Sequence, residues 1–253
     1  MDNFNTFYKN IEYVSNSLKQ LGYNDNNVKI LFYGGRSSNY PLIEEDATRS
    51  NVIAELMFYE RIIDPNDSLL IFRSGHGMIE LVDAKYGILS NDWNVSENII
   101  PNIIGTVAVM SFPDGPLSYL EFQELLGRIK ARQIIVILSQ CYSGQFAEIT
   151  TKLANAVVVS ETGEVGIAFS TKRRVKIWNH EVWPFVKCIF DGFLLGGCCE
   201  SKQSVLTAFE YMLSCNPNIN GLPLKADRPL LRETPQIKYG KGLTKGAVYI
   251  SRP

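Results

Sequence analysis

Gln133-Ile134-Ile135-Val136-Ile137-Leu138-Ser139-Gln140-Cys141-Tyr142-Ser143-Gly144 is the stretch on which the reading of this chain turns. Its first half is the most β-like and apolar run in the sequence, and a strand apolar on both faces belongs in a central, helix-covered sheet. Just upstream, Ser118-Tyr119-Leu120-Glu121 fits a capping box that opens a helix to about Ala131. Ser68-Leu69-Leu70-Ile71-Phe72 is a second two-sided apolar strand. It follows a helix capped by Thr48 that runs to Ile62 and Ile63 before the turn at Pro65-Asn66-Asp67. Helix, strand, helix, strand implies parallel pairing and an α/β fold.

The same reading extends to both ends. Phe4, Phe7, Tyr8, Ile11, Val14, Leu18 and Leu21 step by three and four, predicting a helix over 4–21 with Gly22 as its stop. Val28–Tyr33 reads as a short strand leaving through Gly34-Gly35 into a loop over 34–46. Beyond Gly144 the pattern predicts a helix over 144–155, a strand over Ala156–Ser160, and helices over Trp183–Leu195 and Gln203–Cys215. Pro217–Pro253, rich in Pro, Gly and Lys, reads as a surface arm.

With 253 residues, 45% hydrophobic and 20% charged, one large globular domain is expected. Lys and Arg number 25 against 26 Asp and Glu, a balance that argues against a basic nucleic-acid surface or a polybasic membrane anchor. No apolar run approaches the ~18–20 residues of a membrane span, and the N-terminus lacks a signal-peptide layout, so a cytoplasmic protein is expected. The five cysteines (Cys141, Cys188, Cys198, Cys199 and Cys215) show no C-x-x-C spacing, and reduced thiols are expected. Outside Cys141 they sit in apolar or helical contexts that suit small buried residues. Two histidines, His76 and His180, leave few ways to build a metal site.

Two strands end alike. Leu69–Phe72 runs into Arg73-Ser74-Gly75-His76-Gly77, and Ile135–Leu138 runs into Ser139-Gln140-Cys141-Tyr142-Ser143-Gly144. Ligands bind beyond the carboxyl ends of parallel strands, so His76 and Cys141 are both presented at the functional edge. A thiol where a helix begins should have a lowered pKa, and a neighbouring imidazole can protonate a leaving amine and then activate water.

Together these residues resemble the caspase-like superfamily of cysteine peptidases (clan CD), most closely its legumain-like bacterial branch. Ala47-Thr48-Arg49-Ser50-Asn51 is similar to the helix start that precedes the His-bearing strand in that branch. Ala156–Ser170 resembles the strand and serine-containing loop after the nucleophile helix, and Glu233-Thr234-Pro235-Gln236-Ile237 resembles the element that closes many such domains. The resemblance implies a three-layer α/β/α sandwich with a mostly parallel central sheet, in a peptidase domain over 1–240 followed by a tail over 241–253. Cys141 would be the nucleophile, His76 the general acid/base, and the amides of Gly77 and Cys141 the oxyanion hole, with no metal or cofactor. Ser139, Gln140, Ser160, Glu161 and Arg36 are the candidates for contact with a protein or peptide substrate.

The chain departs from that pattern in two places. It begins at the first helix, where relatives have a strand before it, and it carries Ser139 where caspases have Gln and legumains Glu, so primary specificity is not inherited. A basic P1 side chain would need Glu161 or Glu164; an acidic or amide one would need Arg36, Arg73 or another base. His180 is the competing base, and Thr171-Lys172-Arg173-Arg174-Val175-Lys176 is either a solvated loop or a processing site. Three functions are weighed: an endopeptidase controlled by an activating or inhibitory partner or by a cut, a silent caspase-fold binding module, and a transpeptidase or ligase.

Overall fold

A computed structural model describes residues 3–35, 41–83, 87–89, 103–164, 168, 181–195, 204–220 and 233–250. In chain order the elements are α1 (Asn3–Gln20), β1 (Leu31–Phe32), β2 (Glu45–Asp46), α2 (Arg49–Ile62), β3 (Ser68–Ser74), β4 (Gly77–Asp83), β5 (Gly87–Leu89), β6 (Ile103–Met110) and β7 (Leu117–Ser118). There follow α3 (Tyr119–Arg128), β8 (Gln133–Ser139), α4 (Ile149–Lys152), β9 (Ala156–Ser160), α5 (Pro184–Leu195), α6 (Val205–Cys215), α7 (Pro217–Asn220) and β10 (Gln236–Tyr239). The fold is mixed α/β.

Its centre is a sheet in the order β10-β9-β8-β3. β3, β8 and β9 are mutually parallel, while β10 joins antiparallel. All of β8 is buried, as its two-sided apolar pattern demands. Strand alternation sends Ile135, Ile137, Val157 and Val159 into a cluster with Val14, Phe185, Ile189, Phe190, Phe209 and Met212 of α1, α5 and α6. Ile134, Val136, Leu138, Ala156 and Val158 enter the other cluster, with Leu56, Phe122, Leu126, Phe146 and Ile149 from α2, α3 and the β8–α4 region. Helices therefore cover both faces. Thr48, Ser118 and Ser204 cap α2, α3 and α6 by accepting from the amides of Asn51, Glu121 and Thr207.

The structure corrects several expectations. The strand over 28–33 shrinks to β1, which pairs in parallel with β2 inside the expected 34–46 loop. Between His76 and the α3 cap lies an antiparallel sheet in the order β5-β4-β6-β7, which the sequence reading left unassigned. The expected 144–155 helix is a 3-10 segment over Ser143–Glu148 followed by the single turn of α4. The expected surface arm supplies β10, and Val248 and Ile250 of the expected tail are buried in the cluster beneath α5 and α6.

Reduced thiols were expected throughout; instead Cys188 of α5 and Cys215 of α6 form a disulfide, with Cα atoms 5.8 Å apart. The helices are close enough because Gly192 sits on the other's backbone, where a Cβ would fall 2.8 Å from Ala208 Cα. Cys141 is the free thiol among the described residues. Arg36, His180, Cys198, Cys199 and the basic run over 171–176 lie outside the described residues. Among those described, no helix is long and apolar enough to cross a membrane, and no cluster of His, Cys, Asp or Glu could hold a metal.

Candidate active site at the ends of two parallel strands

The β3–β8 register fixes the site. Its last pair is Ser74 with Ser139, and the Gly75 amide then donates to Ser139 O (3.2 Å). His76 and Cys141 each lie two residues beyond that pair, at equivalent positions on strands that run about 4.8 Å apart. Past the pair the backbones stay in contact. A Cβ on Gly77 would fall 3.1 Å from Cys141 C and closer still to Cys141 O, so only glycine permits this approach.

Alternation sorts the side chains between the two faces. Asn10 Nδ2 of α1 donates to Ser74 Oγ (2.9 Å), and its Oδ1 accepts from the Trp183 amide (2.9 Å). Phe7 meets the His76 ring edge-on at 5.2 Å and packs against Trp183 at 5.3 Å. Ser74 and His76 thus face α1. Burial, and then the charge of Arg73, pushes the His76 pKa down, which keeps the imidazole neutral at pH 7.

Cys141 Sγ accepts a long hydrogen bond from the Ala168 amide (3.4 Å). The expectation of a lowered thiol pKa is overturned: burial pushes it up, and the charge of Glu161 adds to the rise against the opposing Ala168 amide. No long helix starts behind the thiol to offset burial, only the 3-10 segment. Tyr142 turns the chain there with φ 56° and ψ 21°, the one positive φ at a non-glycine among the described residues.

The other members of the Cys-Tyr-Ser-Gly run dock the loop after β9. Ser143 and Thr162 exchange hydrogen bonds: each backbone amide donates to the other's hydroxyl at 3.1 Å. A Cβ on Gly144 would fall 2.8 Å from Gly163 Cα. The Gly163 amide in turn donates to Thr234 Oγ1 (2.8 Å), joining this loop to the Glu233-Thr234-Pro235-Gln236 element.

Beside the strand end lies a buried polar cluster. Ser139 Oγ donates to Glu161 Oε2 (2.8 Å), while Asn216 and Asn218 donate to the two oxygens of Glu233 (3.0 and 2.6 Å). Both carboxyls are sealed from solvent. Burial and the charge of Glu233 push the Glu161 pKa well above the carboxylate range. On the opposite face, the Arg73 guanidinium donates to Gln140 Oε1, to His76 O (2.9 Å) and to Ser111 O (3.0 Å), and it lies 5.1 Å from the Phe112 ring centre.

Of the substrate-contact candidates, Ser139 and Glu161 come together, Gln140 points to the Arg73 face, and Ser160 is buried with no hydrogen-bond partner for its hydroxyl among the described residues. Arg36 falls outside the described residues, and Glu164 is exposed. The sequence reading gave no site role to Thr162, Asn216, Asn218 or Glu233. Their partners lie far off in the chain, and the quoted Thr-Pro-Gln element was the one signal for the region of Glu233.

These features define a mixed α/β protein with a histidine and a cysteine at the ends of adjacent parallel strands. No family model matches the chain, and no curated protein sequence is similar to it. Among solved structures it is similar to the crystal structure of protein GSU0716 from Geobacter sulfurreducens, with a TM-score of 0.50 and 14% identity over 81% of this chain and 78% of that one. At that identity the likeness speaks to fold alone.

Proposed function

We propose that the protein is a caspase-like cysteine peptidase, a three-layer α/β/α sandwich in which Cys141 is the nucleophile and His76 the general acid/base. The observation that carries this reading is the β3–β8 register, with Gly77 packed on the Cys141 backbone. Neutral His76 takes the thiol proton as Sγ attacks the scissile carbonyl carbon, and the amides of Gly77 and Cys141 receive the oxyanion. Collapse breaks the C–N bond, the imidazolium returns the proton to the amine, and water then hydrolyses the thioester with His76 as base. An added amine nucleophile would intercept the same thioester if the protein acts as a ligase.

The raised thiol pKa favours a resting site that awaits an activating partner or a cut, and it is the observation that keeps the silent-module reading in play. The Cys188–Cys215 disulfide fits an oxidising compartment better than the cytoplasm. The test is intact-mass labelling with acyloxymethyl ketones varied at P1, on wild type, Cys141→Ala and His76→Ala, with peptide mapping of the adduct. Labelling confined to Cys141 and weakened in His76→Ala is the expected result. Slow labelling of all accessible cysteines alike would mean a silent site or one still awaiting its activator, and would move the binding-module reading ahead of the peptidase.

A further inference from the structure

Arg73 is a partly buried cation without a counter-ion: among the described residues no carboxylate lies within ion-pair distance of it. Burial lowers its pKa to about 9, which leaves it charged at neutral pH. Its partners are neutral acceptors: the Gln140 carboxamide and the carbonyls of His76 and Ser111. Burying an unpaired charge is costly, so a position that keeps one calls for a role that an apolar residue of similar shape could not fill.

The His76 carbonyl supplies that role, because it belongs to the same peptide unit as the Gly77 N–H. This oxygen accepts from Arg73 Nη2 (2.9 Å) and from the Ser111 amide (3.1 Å), so it faces the β6 side of the strand. A trans peptide holds its C=O and N–H antiparallel, and the Gly77 N–H therefore points the other way. Two residues earlier, the Gly75 amide donates to Ser139 O of β8 (3.2 Å), so the turn that carries this peptide is anchored on the strand that leads to Cys141. The Gly77 N–H thus points away from β6, and Gly77 is in contact with the Cys141 backbone. A cation on the carbonyl oxygen withdraws electron density through the amide and makes the N–H at its far end a stronger donor.

We propose that Arg73 is a positioning residue for the oxyanion hole, acting through the His76–Gly77 peptide: it holds that plane in place and polarises its N–H toward the oxygen that becomes an anion when Cys141 adds to a carbonyl. The proposal rests on the reading of Cys141 as nucleophile. Gln140 completes the device by fixing the guanidinium from the β8 side, which also ties the His76 turn to the Cys141 turn.

Two reactions of the same thiol separate this role from a merely structural one. Peptide aldehydes add to the thiol to give a tetrahedral hemithioacetal whose oxygen needs the oxyanion donors; iodoacetamide alkylates by displacement of iodide and needs none. Wild type, Arg73→Lys, Arg73→Met and Gln140→Leu are compared with a panel of peptide aldehydes bearing acidic, amide and basic P1 groups, and with iodoacetamide followed by peptide mapping at Cys141. The expected result for Arg73→Met is aldehyde binding weakened about tenfold, below the roughly 10²–10³ cost of losing an oxyanion donor outright. Iodoacetamide alkylation of Cys141 should stay within about threefold, and peptide hydrolysis should fall in kcat rather than rise in KM. Arg73→Lys should fall between wild type and Arg73→Met, and Gln140→Leu should show a smaller loss of the same kind. If Arg73→Met does not fold, Arg73→Lys and Gln140→Leu carry the comparison. Equal aldehyde binding in wild type and the folded variants, or aldehyde and iodoacetamide reactivity falling together, overturns the proposal while leaving the peptidase reading standing. No aldehyde adduct on wild-type Cys141 overturns both.

Discussion

Replacing Gly77 by Ala is the sharpest test of the packing that joins the two strand ends. The added Cβ would stand 2.8 Å from Gln140 Nε2 and 3.1 Å from Cys141 C. Ordinary contact for such atoms is about 3.5 Å, so the local backbone must open by roughly 0.4–0.7 Å, and by more at Cys141 O, which belongs to the backbone and cannot rotate aside. Overpacking of this kind costs about 1–3 kcal/mol. For a chain of this size that lowers Tm by roughly 2–4 °C per kcal/mol. The reactive geometry should suffer more than the stability, since a shift of about 1 Å can cost on the order of 10²-fold in rate. The assay is acyloxymethyl-ketone labelling of Cys141 by intact mass, paired with calorimetry on the same preparations. Gly127→Ala in α3 is the control: its Cβ meets only Leu153 Cδ2 at 3.4 Å, and the helix should gain about 0.5–1 kcal/mol. Gly77→Ala with wild-type Tm and wild-type labelling would refute the claim that glycine is required there.

Three further outcomes follow from the buried groups. The Glu161 pKa is raised in the folded protein, so the stability it contributes is present below its unfolded pKa and lost as pH rises through the folded one; Tm of wild type should fall across that window and that of Glu161→Gln should fall less, and parallel curves would contradict this. The Cys188–Cys215 disulfide spans a sequence separation of 27, for which chain entropy gives about 3.5 kcal/mol, so reductant should lower the denaturant midpoint of wild type and leave the Cys188→Ala/Cys215→Ala double variant unmoved. Burial raises the Cys141 pKa, so its iodoacetamide alkylation, followed by peptide mapping against pH, should have its midpoint above the ~8.5 of an ordinary thiol; a midpoint near 7 would show an activated thiolate at rest.

What the sequence disclosed follows the range of the forces involved. β8 and β9 are legible because a strand buried on both faces needs an unbroken apolar run, and Ile134–Leu138 and Ala156–Val159 supply one. α2 and α3 are legible because their caps are local, three residues apart in the chain. The antiparallel sheet from β4 to β7 was not, for β4 mixes Glu80 with apolar neighbours, β6 carries Gly105, and each gains its identity from pairing with the other across more than twenty residues. β10 was hidden similarly: Lys238 and Tyr239 read as surface residues until Val157 and Val158 are found opposite them. His76 and Cys141 stood out because reactive side chains at strand ends are read from local sequence alone. Arg73–Gln140 and Gly163–Thr234 are hydrogen-bonded at separations of 67 and 71 residues, and no local pattern encodes such pairs.

The two faces of the sheet divide the work at the strand ends. The α1 face holds Ser74, His76 and the Phe7–Trp183 packing, and Ser139 ties in the buried Glu161. The other face holds the Arg73 cation. Cys141 and His76 are both pushed toward neutrality by the same cause: burial raises the thiol pKa and lowers that of the imidazole. On the proposed peptidase reading thiol and imidazole both start neutral, and proton transfer between them would be uphill until something lowers the cost of the anion. The oxyanion donors proposed at Gly77 and Cys141 would lower it only once a carbonyl oxygen is there to accept from them. If Cys141 is the nucleophile we propose, substrate binding would then add to whatever a partner or a cut supplies, and an unoccupied site would keep the thiol in its less reactive form.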